Sequence, residues 1–191
     1  MCIRDRPQTI LVPGPMYHTN GFITLTYLLS GDRLVILEKF SAAGALDAIE
    51  KYRVTNFTAT PTMLARIAGT PGTDDRDLSS VVWMVQGAAV MPPTLLRRWF
   101  ELLSPEQVVM SYGMTENLGL AALRGDEWLD HPGSVGRGFR DTQIRIQRPD
   151  GSPAPVGEMG AVSYTHLDVY KRQQRCRGGC ATGYRRPRQS D

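Results

Sequence analysis

Short apolar runs alternate with helix-spaced apolar residues along the chain from Asp32 onward. Runs at 34–37, 54–60, 81–85 and 108–112 have the length and the β-branched content of buried strands. Strands that alternate with helical patterns are typical of βαβ units. The pattern therefore predicts an α/β fold, with a mostly parallel sheet and helices on both faces.

Three helices are predicted between these strands. Ser41 can cap the first, in which Leu46, Ile49 and Tyr52 recur at near-helical spacing. The second starts at 61–62 and stops near Gly69, and the third starts at the prolines 92 and 93. The apolar residues predicted to fill one face of the third helix are Leu95, Leu96, Trp99, Phe100, Leu102 and Leu103.

After Trp128 the pattern changes to turns and short polar strands. HPGSVGRG is followed by a strand-like segment at 143–147 and by the turn-rich segment RPDGSPAPVGE. We expect an α/β subdomain over residues 7–127 and the start of a small β subdomain over residues 128–161.

The two ends differ from the segment between them. Residues 162–173, VSYTHLDVYKRQ, can be encoded by DNA that forms an inverted repeat, and its second arm translates as the first five residues, MCIRD. This palindrome resembles two joined copies of a transposon end used to fragment DNA for sequencing. We therefore expect residues 1–6 and 162–173 to be adapter translation, and the Arg- and Gly-rich residues 174–191 to be out of frame.

The charge of the chain is concentrated in these ends. The whole chain carries a formal net charge of +3, whereas residues 7–161 hold 13 Lys and Arg against 16 Asp and Glu, a net charge of −3. A nucleic-acid or membrane-surface partner is therefore not expected. Cys2, Cys176 and Cys180 also lie in the ends, which fits a reducing cytoplasm. No apolar run approaches the roughly 20 residues of a transmembrane helix.

The run SYGMTE, residues 111–116, stands at the carboxyl end of a predicted parallel strand, where open α/β sheets bind ligands. A flat aromatic ring can stack on a purine, and a glycine lets backbone approach the ligand. A threonine hydroxyl can donate to a phosphate oxygen, and a carboxylate can hold Mg²⁺. From these residues alone, an ordinary strand exit with a surface glutamate remains an alternative.

Four further segments stand in a fixed order around this run. They are PMYHTNG at 15–21, GAAVMPP at 87–93, HPGSVGRG at 131–138 and PAPVGEMG at 153–160. Together with SYGMTEN they resemble the motifs of the adenylate-forming superfamily, which includes acyl-CoA synthetases, luciferases and peptide-synthetase adenylation domains. The resemblance implies the large domain of such a synthetase.

The resemblance implies a site for ATP and Mg²⁺. Tyr112 would stack on adenine, Thr115 would contact the α-phosphate and Glu116 would coordinate the metal. Without the resemblance, residues 87–93 favour a tight strand-to-helix turn whose glycine only relieves backbone crowding. The nucleotide-binding residues that it implies are Gly87, Ala88, Ala89, Ser111, Tyr112, Gly113, Met114 and Thr115.

His18 is a candidate positioning or gating residue. In the resembling family this histidine lies between the acyl pocket and the nucleotide, whereas a lone histidine is more often structural. We interpret His131 as a loop residue, and His166 belongs to the predicted adapter.

The implied reaction of the parent enzyme has two steps. A carboxylic acid and ATP form an acyl-adenylate and pyrophosphate, and coenzyme A then takes the acyl group and releases AMP. The segment 125–136 looks more like fatty-acyl and alicyclic or steroid-acid ligases than like peptide synthetases. Leu118, Leu120 and Ala121 are candidates for an acyl tunnel or, equally, for the core.

Three alternatives to this function remain. The parent could be an aryl-acid or carrier-protein-loading adenylation enzyme, or a non-catalytic nucleotide-binding module. The literal 191 residues could also fail to represent a natural protein. The family's phosphate loop would lie upstream of residue 7, and its ribose-binding aspartate, hinge and catalytic lysine downstream, so we expect this chain by itself to be inactive.

Overall fold

The computed structural model describes residues 7–18, 21, 24–114, 119–139 and 142–166, with side chains described as far as 163. The chain forms two compact units. The first comprises the residues up to Tyr112 together with Ala122–Gly136, and the second comprises Gly113–Ala121 and the residues from Arg137 onward.

The main sheet has seven strands in the order β2-β1-β3-β4-β5-β6-β7. The pairs β1–β2, β1–β3, β3–β4 and β4–β5 are parallel, which confirms the mostly parallel sheet. The strands are β1 (Thr9–Val12), β2 (Arg33–Ile36), β3 (Asn56–Ala59), β4 (Trp83–Gln86), β5 (Val108–Gly113), β6 (Leu120–Arg124) and β7 (Arg137–Gly138).

Strands β2 to β5 confirm the four predicted strands, while β1, β6 and the two-residue β7 were not predicted. Strand β1 has only four residues, too few for a clear pattern of its own. It nevertheless lies between β2 and β3 in the sheet. The connection that follows β1 carries the PMYHTNG motif.

Five helices are described: α1 (Leu25–Leu28), α2 (Ala42–Tyr52), α3 (Pro61–Ala68), α4 (Pro93–Leu102) and α5 (Gly125–Asp130). Helices α2, α3 and α4 confirm the three predicted helices, while α1 and α5 were not predicted. The predicted cap of α2 is present, and α3 has a cap that was not predicted. Ser41 Oγ accepts a hydrogen bond from the Gly44 amide at 3.1 Å, and Thr60 Oγ1 accepts one from Met63 at 3.4 Å. None of the described helices is long and apolar enough to cross a bilayer.

The largest hydrophobic cluster lies on one face of the sheet. Leu11, Phe57, Met84 and Val108 are register partners on successive strands, so their side chains share that face. Trp99 is fully buried among them and donates from Nε1 to the Leu64 carbonyl oxygen at 3.3 Å. The helices add further fully buried residues to this cluster, including Leu46, Ile49, Leu64, Ile67 and Leu96.

The second unit contains an antiparallel pair, β8 (Thr142–Gln147) and β9 (Ala161–His166). The first of these confirms the predicted polar strand. Next to the pair, Arg148 binds Glu158 through two bonds, Nε to Oε1 at 2.6 Å and Nη2 to Oε2 at 2.7 Å. The turn-rich segment between the strands thus has a bidentate ion pair across it.

Strand β9 includes residues 162–166, for which adapter translation stays a prediction. Strand pairing uses backbone N–H and C=O groups that every non-proline residue carries. The pairing with β8 therefore does not distinguish a native segment from a foreign one.

Candidate functional site

The candidate site is built at the edge of the sheet where the parallel strands end. Because β1, β4 and β5 run in one direction, the loops that follow them emerge at the same edge. The PMYHTNG and GAAVMPP motifs follow β1 and β4, and the SYGMTE run begins within β5. The topology thus confirms that GAAVMPP and SYGMTE stand at the carboxyl ends of predicted parallel strands, whereas no strand was predicted before PMYHTNG.

The loop after β4 turns sharply at Ala88. Ala88 has φ +72°, in the left-handed region, which costs a residue with a Cβ about 1–2 kcal/mol. Gly87 before it is buried, whereas Ala88 and Ala89 are exposed. The backbone is therefore held in a strained turn that presents two small residues to solvent. Strain of this kind is common at ligand sites.

A hydrogen bond joins the ends of β4 and β5. Ser111 Oγ donates to the Gln86 carbonyl oxygen at 2.8 Å, one residue beyond the last backbone pair of these strands. A Cβ on Gly87 would lie 2.7 Å from Ser111 Oγ, closer than real Cβ contacts. Glycine at 87 is what allows this bond, and the sequence motif alone did not indicate that.

Tyr112 follows Ser111 and is 40% exposed, so part of its ring is accessible to a ligand. In the second unit, Met114 is 41% exposed. A Cβ on Gly113 would lie 3.0 Å from the Gly119 carbonyl oxygen, so a larger residue would force a shift there. The predicted approach of a ligand to the Gly113 backbone stays a prediction.

Thr115, Glu116 and Leu118 lie outside the described residues, between β5 and β6 in the sequence. Within the described ranges, no group of three or more His, Cys, Asp or Glu side chains could hold a metal ion. The predicted contacts of Thr115 and Glu116 with phosphate and Mg²⁺ therefore stay predictions.

His18 lies in a tight turn after β1 and is exposed. Its amide donates to the Pro15 carbonyl oxygen at 3.1 Å, and the Gly21 amide donates to the His18 carbonyl oxygen at 2.8 Å. A Cβ on Gly21 would lie 2.4 Å from the Pro15 oxygen. The proline and glycine of the motif thus shape the turn that carries the histidine.

Gln86 is a residue that the sequence interpretation missed. It ends β4, is only 5% exposed, and its Oε1 has no hydrogen-bond partner in the described part of the chain. A polar residue in the last position of a buried strand was the available signal, since buried polar groups are usually paired.

The HPGSVGRG motif forms a turn with two glycines at φ +86°, Gly133 and Gly136. A Cβ on Gly136 would lie 2.1 Å from the Ala122 carbonyl oxygen, while one on Gly133 would meet nothing within 4 Å. His131 ends helix α5 and is exposed, in agreement with its interpretation as a loop residue.

A strongly lowered pKa is found at the opposite edge, ahead of β4. The pKa of Asp77 falls to about 2, first because Ser79 donates hydrogen bonds from its side chain and backbone and then because Arg53 lies beside it. Arg53 Nη1 is 2.5 Å from Asp77 Oδ2. This charged cluster lies ahead of β3 and β4, at the edge opposite the motif-bearing strand ends.

Comparisons with known proteins agree with this fold and these motifs. A family model described as AMP-binding enzyme matches residues 2–169. The chain is 37% identical over 138 residues to 4-coumarate–CoA ligase-like 6 of Oryza sativa subsp. japonica, covering 71% of the chain and 23% of that relative. It is 32% identical over 167 residues to a feruloyl-CoA synthase of an Amycolatopsis species, covering 86% of the chain and 34% of that relative.

Among solved structures, the amide bond synthetase McbA from Marinactinospora thermotolerans superposes with a TM-score of 0.78 at 28% identity, over 84% of the chain and 33% of that protein. The chain spans between 23% and 34% of the length of the two curated relatives. Since the family model matches most of its residues, the chain belongs to the family of AMP-binding enzymes.

Proposed function

We propose that this chain is a segment of a longer ATP-dependent acid–thiol ligase, which converts a hydrophobic carboxylic acid to its CoA thioester. The observation that carries the proposal is the hydrogen bond that connects the carboxyl ends of β4 and β5. There the small-residue loop 87–89 and the accessible ring of Tyr112 are held together by the Ser111 hydrogen bond. Family membership supplies the reaction class.

In the first step, a carboxylate oxygen of the acid attacks the α-phosphorus of ATP and pyrophosphate leaves. In the second, the sulfur of coenzyme A attacks the acyl carbon, AMP leaves and the thiol proton goes to solvent. Tyr112 would stack on the adenine, and the exposed backbone at Ala88 and Ala89 would border the adenine and the acyl group. His18 would position the acid against the nucleotide.

Thr115 and Glu116 would act on the phosphates. A threonine hydroxyl can donate to a phosphate oxygen, and a carboxylate oxygen is the kind of hard ligand that Mg²⁺ prefers. The bound Mg²⁺ would neutralise phosphate charge, and Glu116 would hold it. These two roles rest on the resemblance of the SYGMTE run.

A fatty or related hydrophobic acid is our first choice of substrate, because the segment 125–136 resembles fatty-acyl and alicyclic-acid ligases. The names of the two relatives favour the alternative, an aromatic acid. Ala121 is fully buried in β6, which supports a core role for it rather than a place in an open acyl tunnel. A cytoplasmic location is proposed from the absence of cysteine over residues 7–161.

Two other functions give different results in the same assays. An amide-forming or carrier-protein-loading enzyme, the first suggested by McbA, would form the acyl-adenylate but would not pass it to coenzyme A. A nucleotide-binding module would bind ATP without acid-dependent pyrophosphate exchange. The acceptor used in the second step, coenzyme A or another thiol or amine, distinguishes the ligase from the first alternative. Acid-dependent pyrophosphate exchange distinguishes it from the second.

The test is made on the full-length parent enzyme, cloned from source DNA. Acid-dependent exchange of pyrophosphate into ATP is measured with fatty, alicyclic and aryl acids, followed by CoA-dependent release of AMP. Glu116→Gln is compared with Glu106→Gln, which makes the same change in an exposed residue before β5.

We expect Glu116→Gln to slow exchange by about 10² to 10³-fold, as for loss of one preorganised charge-stabilising group, and Glu106→Gln to leave it unchanged. Exchange within about twofold of wild type for Glu116→Gln, in a folded protein, would remove Glu116 from the metal site. Absence of exchange with every acid, in the wild-type parent, would contradict the ligase function.

A further inference from the structure

The hydrogen bond between Ser111 and Gln86 connects two residues that are 25 positions apart in the sequence. Gln86 immediately precedes the loop 87–89, and Ser111 immediately precedes Tyr112. The backbone pairing of β4 with β5 ends at Gln86 and Met110. Beyond that pair, the hydrogen bond from the serine hydroxyl therefore links the two strand ends.

We propose that Ser111 is a positioning residue, whose bond to Gln86 sets the distance between the adenine-bordering loop and the Tyr112 ring. This inference rests on the proposed function and goes beyond it, because it assigns Ser111 to the protein backbone rather than to the ligand. The Ser111–Gln86 brace consists of this hydrogen bond and the space that Gly87 leaves for it.

Gly87 and Ser111 act on the brace together. An alanine at 87 would bring its Cβ to 2.7 Å from Ser111 Oγ, while the next atom, the Ser111 carbonyl oxygen, would be 3.8 Å away. The serine would then have to rotate out of the hydrogen bond. Gly87→Ala and Ser111→Ala should thus break the same bond, and Gly87→Ala should meet no collision once Oγ is gone.

The chain offers a matched control at the opposite edge of the sheet. Ser80 Oγ donates to the Val54 carbonyl oxygen, also at 2.8 Å and across 26 positions, but ahead of β3 and β4. Ser80→Ala removes a bond of the same type and length where no nucleotide-binding loop emerges. It should lower the thermal midpoint by about as much as Ser111→Ala without changing nucleotide binding.

The experiment uses the full-length parent with five proteins: wild type, Ser111→Ala, Gly87→Ala, the double variant and Ser80→Ala. For each, the Kd for ATP is measured by calorimetry and the KM for ATP and kcat by pyrophosphate exchange. A lost hydrogen bond that positions a binding loop should raise KM and Kd about 3- to 10-fold and leave kcat within twofold, since loss of uniform binding acts on KM.

We expect the Kd of the double variant for ATP to be no higher than the higher Kd of the two single variants, because both changes remove the same hydrogen bond. The proposal would be overturned if the increases in Kd of the two single variants multiplied in the double variant, or if the Kd of Ser111→Ala were unchanged. It would also be overturned if Ser80→Ala raised the Kd as much as Ser111→Ala. If the wild-type parent binds ATP but shows no exchange, the ligase function fails, and the Kd values still decide on the brace.

Discussion

Replacement of Gly136 by alanine should destabilise the fold more than the same replacement at Gly133. Both glycines have φ +86° and stand three positions apart in one turn. An alanine at either position must adopt a left-handed conformation, which costs about 1–2 kcal/mol. This conformational cost applies to both variants. It is the full expected loss of stability at Gly133, where a Cβ meets nothing within 4 Å.

A second cost applies to Gly136 alone. Its Cβ would lie 2.1 Å from the Ala122 carbonyl oxygen and 2.8 Å from the Leu123 Cβ. Since contacts under 3.0 Å essentially never occur, the turn or strand β6 must move by about 1 Å, and overpacking of this kind typically costs about 1–3 kcal/mol. We therefore expect a loss of about 1–2 kcal/mol for Gly133→Ala and of about 2–5 kcal/mol for Gly136→Ala.

Urea unfolding of the full-length parent and the two variants measures this difference. Tryptophan fluorescence is a suitable probe, because Trp128 is 5% exposed and lies in α5, immediately before the turn. Equal losses for the two variants would show that the turn yields without cost at Gly136. A larger loss at Gly133 would refute the steric reasoning altogether.

Four further predictions follow from the chain. The pKa of Asp77 is lowered to about 2 from 3.8, so its ionised form stabilises the fold above pH 4. That contribution is lost as the pH falls from about 4 to 2. The difference in the free energy of unfolding between wild type and Asp77→Asn should therefore shrink over this range, as measured by acid-unfolding curves. Thr115→Ala should slow pyrophosphate exchange less than Glu116→Gln does, because a neutral donor to a charged phosphate is worth about 1.5–3 kcal/mol. The difference is read from the two exchange rates, and the reverse order would be contrary to the proposed roles. Amplification of the source locus, without library preparation, should yield a sequence that lacks the codons for residues 162–173, and a genomic product that still encodes them would disprove the adapter origin. Expressed by itself, the 191-residue chain should aggregate, because it exposes apolar side chains such as Leu29 and Val90 and has open strand edges. A monomer with a cooperative melt would contradict this.

Local patterns were sufficient to predict strands β2 to β5 and the helices between them. A serine that accepts from an amide three residues ahead and a proline in a first helical turn act within a few residues of chain, so Ser41 and Pro61 mark helix starts in the sequence itself. The order of the motifs likewise sufficed for the family, since each motif is contiguous.

The sequence did not reveal what depends on residues brought together from distant positions. A four-residue run could not show that β1 lies between β2 and β3, because sheet order is a matter of pairing between strands far apart in the chain. The left-handed turn at Ala88 was also unpredicted, since alanine carries no local preference for positive φ.

The clearest case is the pair Gly87 and Ser111. Each belongs to a motif that is recognisable by itself, and both were predicted to bind the nucleotide. Only the parallel pairing of β4 with β5 brings the hydroxyl within 2.8 Å of the Gln86 carbonyl oxygen, and it explains why a Cβ at 87 would collide with that hydroxyl. The motifs determine which residues are present at the site, and the tertiary structure decides which of them touch one another, because that contact depends on the register of two strands.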